Sequence, residues 1–468
     1  MKRQFQIGMA ITTIVAVSAL AACTEGGGTT PEGSTTTPEV APHAEAGDLS
    51  VGAAKVDITP SESELVERYT GVEDPLFART IVIQNGEETA ALISVDLGSV
   101  SAELWTQVSS RLDEDLDIDP EHVMLAGTHT HSAQSEREPD VYADLVVQSV
   151  EEALEAAQPA RMGAGQGESY LNVNRSIIDP ETGTWWEGPN VNGVSDKAVR
   201  VIAFESLEGQ PIAVYYNYAM HAVTAGMLDR ISADYPGAAS TYIEDSLGHD
   251  AVAVFSNGAA GDQNPRYFDQ TYQLREIRVQ DYAERGEDIS NAMPPGGEGL
   301  DRDDPRVATL IAQQVQMTQS MGQFLGEEVL DVTRGIRAWS ADASIGAGTS
   351  TVTCPGRDRT DEGRAGQAGT YEDGEDVSIR LSVLNVGDVY LAGVDGEVFN
   401  GIGQRLVDES PHLHTIMSTL TNGRANSGYI YSDEASGQYT FEVISSRLKP
   451  SCAEGQIVNG LLALFDSV

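Results

Sequence analysis

From residue 51 onward, short apolar runs alternate with turn signals in a repeated order: strand, tight turn, strand, helix, strand. The first copy predicts strands over 80–84 and 90–96 joined through Asn85-Gly86, a helix over 103–112 and a strand over 122–127. The second predicts strands over 199–205 and 212–220 around Glu208-Gly209, a helix over 238–247 and a strand over 251–255. The third predicts strands over 378–385 and 389–394 around Val386-Gly387, a helix over 399–407 and a strand over 415–420. The fold class that follows is α/β: mixed sheets with flanking helices, repeated β-β-α-β units and a single large domain. Between the second and third copies, residues 263–335 read as an insertion with a helix over 306–332. Lying directly after a candidate site loop, it is expected to form a pocket wall or lid.

Polar and ionisable residues gather where these strands end. The second strands lead to Asp96, His221 and Glu397; the third lead into Gly127-Thr128-His129-Thr130-His131, Asn257-Gly258-Ala259-Ala260-Gly261-Asp262, and Thr421-Asn422-Gly423-Arg424 followed by Tyr429. In open α/β sheets ligands bind at such ends. On extended chain, His129 and His131 point the same way, so they either chelate one metal or divide into a ligand and an acid/base group. His412-Leu413-His414 has the same spacing but precedes its strand, and reads as an ordinary surface pair. Glu397 follows an apolar strand, a costly place for a carboxylate that lacks a cation or donor. His221 and Glu397 could each be satisfied polar groups, yet their equivalent placement in a repeat points to a shared site. Two histidines, a carboxylate and a further oxygen donor suit zinc.

Other patterns carry less. Asp113, Asp115, Asp117 and Asp119 alternate without the glycine and terminal glutamate of a calcium loop, and are expected in a solvated turn. Gly163-Ala164-Gly165-Gln166-Gly167 matches no phosphate-binding pattern. Without a G-x-S-x-G, and with Ser446-Arg447-Leu448-Lys449 lacking its usual partner motifs, a serine hydrolase has little support.

Composition narrows the setting. The 40% of hydrophobic residues is enough for a sizeable core, while the formal net charge of -44 repels phosphate backbones and makes nucleic acid a poor partner. Lys2 and Arg3 precede an apolar stretch over 7–22, which ends in Leu20-Ala21-Ala22-Cys23. This resembles a bacterial lipoprotein signal: residues 1–22 are removed and Cys23 becomes the diacylated N-terminus. The chain is then expected in the bacterial cell envelope, anchored on the periplasmic or cell-surface side. Residues 23–49, rich in Gly, Thr, Pro and Ser, read as a flexible tether to a domain over 50–468. In an oxidising compartment Cys354 and Cys452 read as a disulfide, the alternative being two buried thiols.

Taken in order, several stretches resemble the catalytic domain of the neutral/alkaline non-lysosomal ceramidase family. They are Val51-Gly52-Ala53-Ala54-Lys55-Val56-Asp57-Ile58-Thr59, Val95-Asp96-Leu97-Gly98, Gly127-Thr128-His129-Thr130-His131-Ser132, Asn172-Val173-Asn174-Arg175-Ser176, His221 with Ser232-Ala233-Asp234, Ala260-Gly261-Asp262, Gly396-Glu397 and Tyr429-Ile430. The resemblance implies zinc held by His129, His221, Glu397 and Tyr429, with His131 and Arg175 at the scissile group and the developing oxyanion. It also implies hydrolysis of an amide to a fatty acid and an amino alcohol by zinc-activated water. Asn264 stands where the family carries a serine, which closes a covalent serine route there and leaves Asn264 to orient substrate or oxyanion. Asp262 would organise that loop. Ser436 stands where the family has a further tyrosine, and the chain ends at Val468 without the family's C-terminal immunoglobulin-like domain.

The expected activity is therefore zinc-dependent hydrolysis of a C–N amide bond in an N-acyl lipid or another small amide. The same site could serve an esterase, because zinc-activated water attacks either carbonyl. A surface lipoprotein that uses the pocket only to bind a ligand is the reading of a different class.

Overall fold

The computed structural model describes residues 48–134, 139–179, 181, 185–226, 228–289, 300–361 and 366–468. The signal sequence, Cys23 and nearly all of the tether lie outside them. The first strand, β1 (Leu49–Asp57), is followed by the first repeated unit: β2 (Phe77–Asn85), β3 (Glu88–Val95), α1 (Ala102–Leu116) and β4 (Val123–Gly127). β2 and β3 pair antiparallel and β4 joins β3 in parallel, so the helix serves as the crossover that parallel pairing requires. Gly86, with φ of 64°, supplies the left-handed turn of the hairpin.

Helix α1 starts where Ser101 accepts a hydrogen bond from the Leu104 N–H at 3.0 Å and stops at Asp117, which adopts a left-handed conformation. Its inner face is Leu104, Trp105, Val108 and Leu112. Asp113 and Asp115 therefore belong to this helix rather than to a solvated turn; only from Asp117 does the chain turn.

Next come α2 (Pro139–Glu155), β5 (Gln158–Glu168), β6 (Asn172–Ile178) and β7 (Trp185–Asn190). The second unit is β8 (Ala198–Ser206), β9 (Pro211–Tyr218), α3 (Asp234–Leu247) and β10 (Val252–Asn257), again with an antiparallel hairpin and a parallel third strand. β11 (Gln263–Pro265), α4 (Asp269–Glu284) and α5 (Pro305–Gly335) lead to the long strands β12 (Ile345–Arg359) and β13 (Tyr371–Val386). With β14 (Val389–Val394), β15 (Glu397–Val398), α6 (Asn400–Glu409) and β16 (His414–Thr419), β13 completes the third unit in the same pairing scheme. The chain closes with β17 (Tyr429–Ile430), α7 (Phe441–Ser445) and α8 (Ala453–Phe465).

The first two units merge into one eight-stranded sheet, ordered β10-β9-β8-β5-β1-β2-β3-β4; the third contributes to a four-stranded sheet, β12-β13-β14-β16. Ile81, Ile83, Leu92, Phe204 and Val254 from the large sheet meet Leu384, Val386, Leu391 and Ile416 from the smaller in one core. Helices cover the outer faces. Ala78, Val82, Ile93 and Val95 face α1 and α2, and Val201, Val214 and Phe255 face α3 and α5. Ile379, Leu381, Val383 and Val394 face α6 and α8. Where both faces are buried, strands such as β3, β9 and β14 read as nearly unbroken apolar runs, and each fully buried Leu, Ile or Val contributes about 1.5–3 kcal/mol.

Residues 263–335 do not form one lid. β11 pairs with β6, and α5 lays Met321, Leu325, Val329 and Leu330 into the core shared with β8 and β9. A helix that supplies this much of a core cannot swing as a flap without exposing it. The glycines of β5 explain how α5 sits so close. A Cβ at Gly165 would lie 2.9 Å from Val332 Cγ1, and one at Gly167 2.6 Å from Val332 Cγ2, both on α5. The alternation of glycine along β5 is thus a seat for a helix, since residues two apart share a face.

Cys354 on β12 and Cys452 at the start of α8 are joined by a disulfide that pins the outer helix to the smaller sheet. No helix among the described residues is long and apolar enough to cross a membrane. Replacing Gly165 with Val should overpack the α5 seat and lower the unfolding free energy by about 1–3 kcal/mol, read as a reduced midpoint in urea denaturation.

Candidate metal centre

Three chain segments converge at the ends of the sheets. His129 follows β4 in a left-handed conformation, φ 66°, which is uncommon for a non-glycine residue. Its N–H donates to the Leu97 carbonyl at 3.0 Å and its Nδ1 lies 2.7 Å from the Gly98 carbonyl, so both backbone and ring are fixed. This turn replaces the extended geometry expected of the His129-Thr130-His131 stretch. The rings still come together, with centroids 4.9 Å apart.

His221 lies three residues beyond β9. Its Nδ1 is 2.7 Å from the Ala260 carbonyl, and its backbone N–H donates to the Gln263 carbonyl at 3.0 Å. Because each Nδ1 faces a carbonyl, each ring must carry its proton there, leaving Nε2 as a lone-pair donor. Parallel pairing of β15 with β17 sets Glu397 beside Tyr429. Glu397 Oε2 lies 3.4 Å from His129 Nε2 and 3.5 Å from His221 Nε2.

All three of these atoms are buried, and none has a hydrogen-bond partner. Buried polar atoms rarely stay unpaired, and two lone-pair nitrogens facing a carboxylate oxygen cannot satisfy one another. The donor set therefore fits a cation. The ligating atoms of His129, His131 and His221 also lie within 4.8 Å of one another, although His131 is open to solvent. Burial, followed by the Arg175 charge, pulls the His221 imidazolium down to about 3, keeping that ring neutral. Burial and the Glu397 charge push the Tyr429 phenol upward.

Arg175 extends from β6 to one side of the centre, with its guanidinium carbon 5.4 Å from the Tyr429 ring centre. Its Nε donates to Glu442 Oε1 at 2.5 Å, Nη2 to the Gly261 carbonyl at 2.7 Å and Nη1 to Asn264 Oδ1 at 3.2 Å. Asn264 in turn donates from Nδ2 to Glu187 Oε1 at 2.8 Å. Asp262 accepts from the Asn400 N–H and from Asn174 Nδ2, each at 2.9 Å, while its carbonyl accepts from the Arg175 N–H. Burial raises the Asp262 carboxyl to about 6.

Among the strand-end residues, His221 and Glu397 meet at the centre, but Asp96 does not. Asp96 pairs with buried Arg79 at 2.9 Å, and Arg79 also donates to Glu244. Ser436 is half-buried and donates to the Asp433 carbonyl rather than joining the metal set. Within the His412-Leu413-His414 pair, His412 stacks on Tyr390 at 3.6 Å, as a structural residue.

Two groups at the site are absent from the sequence reading's set of candidate residues. Glu442, fully buried, neutralises Arg175; a carboxylate set in the run Phe441-Glu442-Val443-Ile444 is the signal that could have found it. Arg424 donates to Glu397 Oε1 at 2.8 Å, and only its position at the end of a site loop marked it.

Comparisons with known proteins give the family and the fold. Residues 50–341 match the family described as neutral/alkaline non-lysosomal ceramidase, N-terminal. The chain is 27% identical over 249 residues to the neutral ceramidase of Pseudomonas aeruginosa, covering 46% of this chain and 36% of that one. It is 27% identical over 218 residues to neutral ceramidase A of Dictyostelium discoideum, covering 40% and 30%. The chain thus spans about a third of the length of the curated relatives it matches. The crystal structure of the Pseudomonas aeruginosa neutral ceramidase superposes with a TM-score of 0.67 at 17% identity, over 91% of this chain and 75% of that one. A structure of ceramidase complexed with C2 gives the same score over 90% and 76%. The family match takes in His129, His131, Arg175, His221, Asp262 and Asn264, whereas Glu397 and Tyr429 lie beyond its last residue. With residues 50–341, more than half of its length, matching that model, the chain belongs to the neutral/alkaline non-lysosomal ceramidase family.

Proposed function

We propose that the chain is a zinc-dependent hydrolase that cleaves the C–N amide bond of an N-acyl lipid, with His129, His221, Glu397 and Tyr429 as the metal set. The observation that carries this reading is the convergence of His129 Nε2, His221 Nε2 and Glu397 Oε2, buried and unpartnered, in a member of a ceramidase family. Two imidazole nitrogens and two oxygens match the mixed donors that zinc prefers. Held there, zinc supplies Lewis acidity toward a carbonyl and makes water more acidic.

The chain's own groups do the remaining work. His131, open to solvent beside His129, takes the proton from the attacking water and returns it to the departing amine nitrogen. The C–O bond forms as the C–N bond breaks, and the acyl half leaves as a carboxylate. Arg175 offers a fixed positive charge to the carbonyl oxygen as negative charge develops on it. Glu442 and Asn264 hold the guanidinium, and Asp262 ties β6 to the loop that carries Gly261. Asn264 has no nucleophilic hydroxyl and both ends of its amide are engaged, which favours direct attack by water over a covalent intermediate at this position.

In this reading, residues 50–468 form one catalytic domain and diacylated Cys23 holds it at the bacterial envelope, on the periplasmic or cell-surface side. An acylated terminus would keep the site near lipid substrates.

Purified protein is expected to carry stoichiometric zinc and to hydrolyse fluorogenic N-acyl amides, and His129→Ala should lose both; zinc-free wild-type protein would sink the reading. Asn264→Ala should keep its zinc while kcat falls about tenfold or more, the cost of losing one hydrogen bond to a charged group. For the anchor, Cys23→Ser should move the protein from the membrane fraction to the soluble fraction of expressing cells.

A further inference from the structure

Glu397 has two oxygens with different surroundings. Oε2 lies buried between the two imidazole Nε2 atoms, whereas Oε1 accepts a hydrogen bond from Arg424 Nη2 at 2.8 Å. Arg424 is half-exposed, and its Nη1 donates to Ser99 Oγ at 3.1 Å. Ser99 adjoins Gly98, whose carbonyl fixes the His129 ring. The guanidinium therefore bridges the segment that orients His129 and the carboxylate that faces it.

The loop carrying Arg424 is itself clamped. Asn422, with φ of 59°, accepts from the Leu125 N–H at 2.8 Å and donates to the Val123 carbonyl at 2.7 Å, tying the loop to β4. The Ala425 N–H donates to the Asp395 carbonyl at 2.7 Å. Such anchoring would be superfluous for a surface arginine that merely solvates a charge.

We propose that Arg424 is a positioning residue that restricts Glu397 to a single metal-binding oxygen. A carboxylate with both oxygens free can bind a cation through both and fill a coordination position. With Oε1 held by Arg424, only Oε2 turns inward, and a position stays open for water or a substrate carbonyl, as a catalytic rather than a structural site requires. This rests on the metal reading of the centre.

The test uses the full chain as wild type, Arg424→Gln, Arg424→Lys and His129→Ala. Zinc affinity is read by competition with a chromogenic chelator, and coordination by the visible spectrum of the cobalt(II)-loaded protein. Arg424→Gln should hold zinc at least as tightly as wild type, while its cobalt bands weaken and shift as the carboxylate fills a further coordination position. Arg424→Lys, which keeps a cationic donor in reach of Oε1, should recover the wild-type spectrum. An unchanged spectrum in Arg424→Gln overturns the proposal, as does a loss of zinc affinity without a change of spectrum, or a lysine variant no better than the glutamine one. If wild type and His129→Ala bind zinc indistinguishably, the metal reading itself fails and takes the proposal with it.

Discussion

His129 Nε2, His221 Nε2 and Glu397 Oε2 share a buried space in which none finds a protein partner, and much of the surrounding chain is arranged to keep them there. Each imidazole is locked through Nδ1 to a backbone carbonyl, and the carboxylate is set by a two-residue strand. Left alone, such atoms cost roughly 1–3 kcal/mol each in lost hydration. A cation turns that cost into binding energy. The left-handed turn at His129 and the buried ion pair of Arg175 with Glu442 are further features that an ordinary hydrophobic core would not select.

The repeated unit makes this convergence possible. In all three copies a hairpin is followed by a helix and a parallel strand, so strand ends fall on a common side of the layers. The copies have diverged in what they place there. His129 follows the third strand of the first copy, His221 follows the second strand of the second, and Glu397 follows the second strand of the third. Asp96, at the matching position of the first copy, instead serves the Arg79 and Glu244 ion network that joins β2 to α3. Equivalent position in a repeat offers an opportunity for a ligand without requiring one.

Much of this was legible in the chain, for identifiable reasons. Strands buried on both faces need long apolar runs, and the unit boundaries expected from those runs, such as 389–394, fall close to the observed ones. Cys354 and Cys452, an isolated pair, are bonded as expected. What was missed depends on long-range geometry. The β5 glycines show their purpose only once α5 lies against them, and Arg175 meets Glu442 across 267 residues of sequence. The backbone reversal at His129 comes from tertiary hydrogen bonds to Leu97 and Gly98, which no local propensity encodes. Likewise, the helix expected over 306–332 forms as α5, but as part of the core rather than as a pocket wall or lid, because its apolar face finds β8 and β9 only in the folded chain.

The disulfide has a further bearing on the centre, through the chain it encloses. Cys354 and Cys452 are separated by 98 positions, and within that span lie Glu397, Arg424, Tyr429 and Glu442. The carboxylate half of the centre thus sits on a covalently closed ring, while both histidines come from outside it. Closing the ring restricts the excursions of that half in the unfolded ensemble. In a reducing environment the ring opens, and the unfolded ensemble regains that freedom. Redox conditions therefore bear on the carboxylate half of the candidate centre without any cysteine touching it.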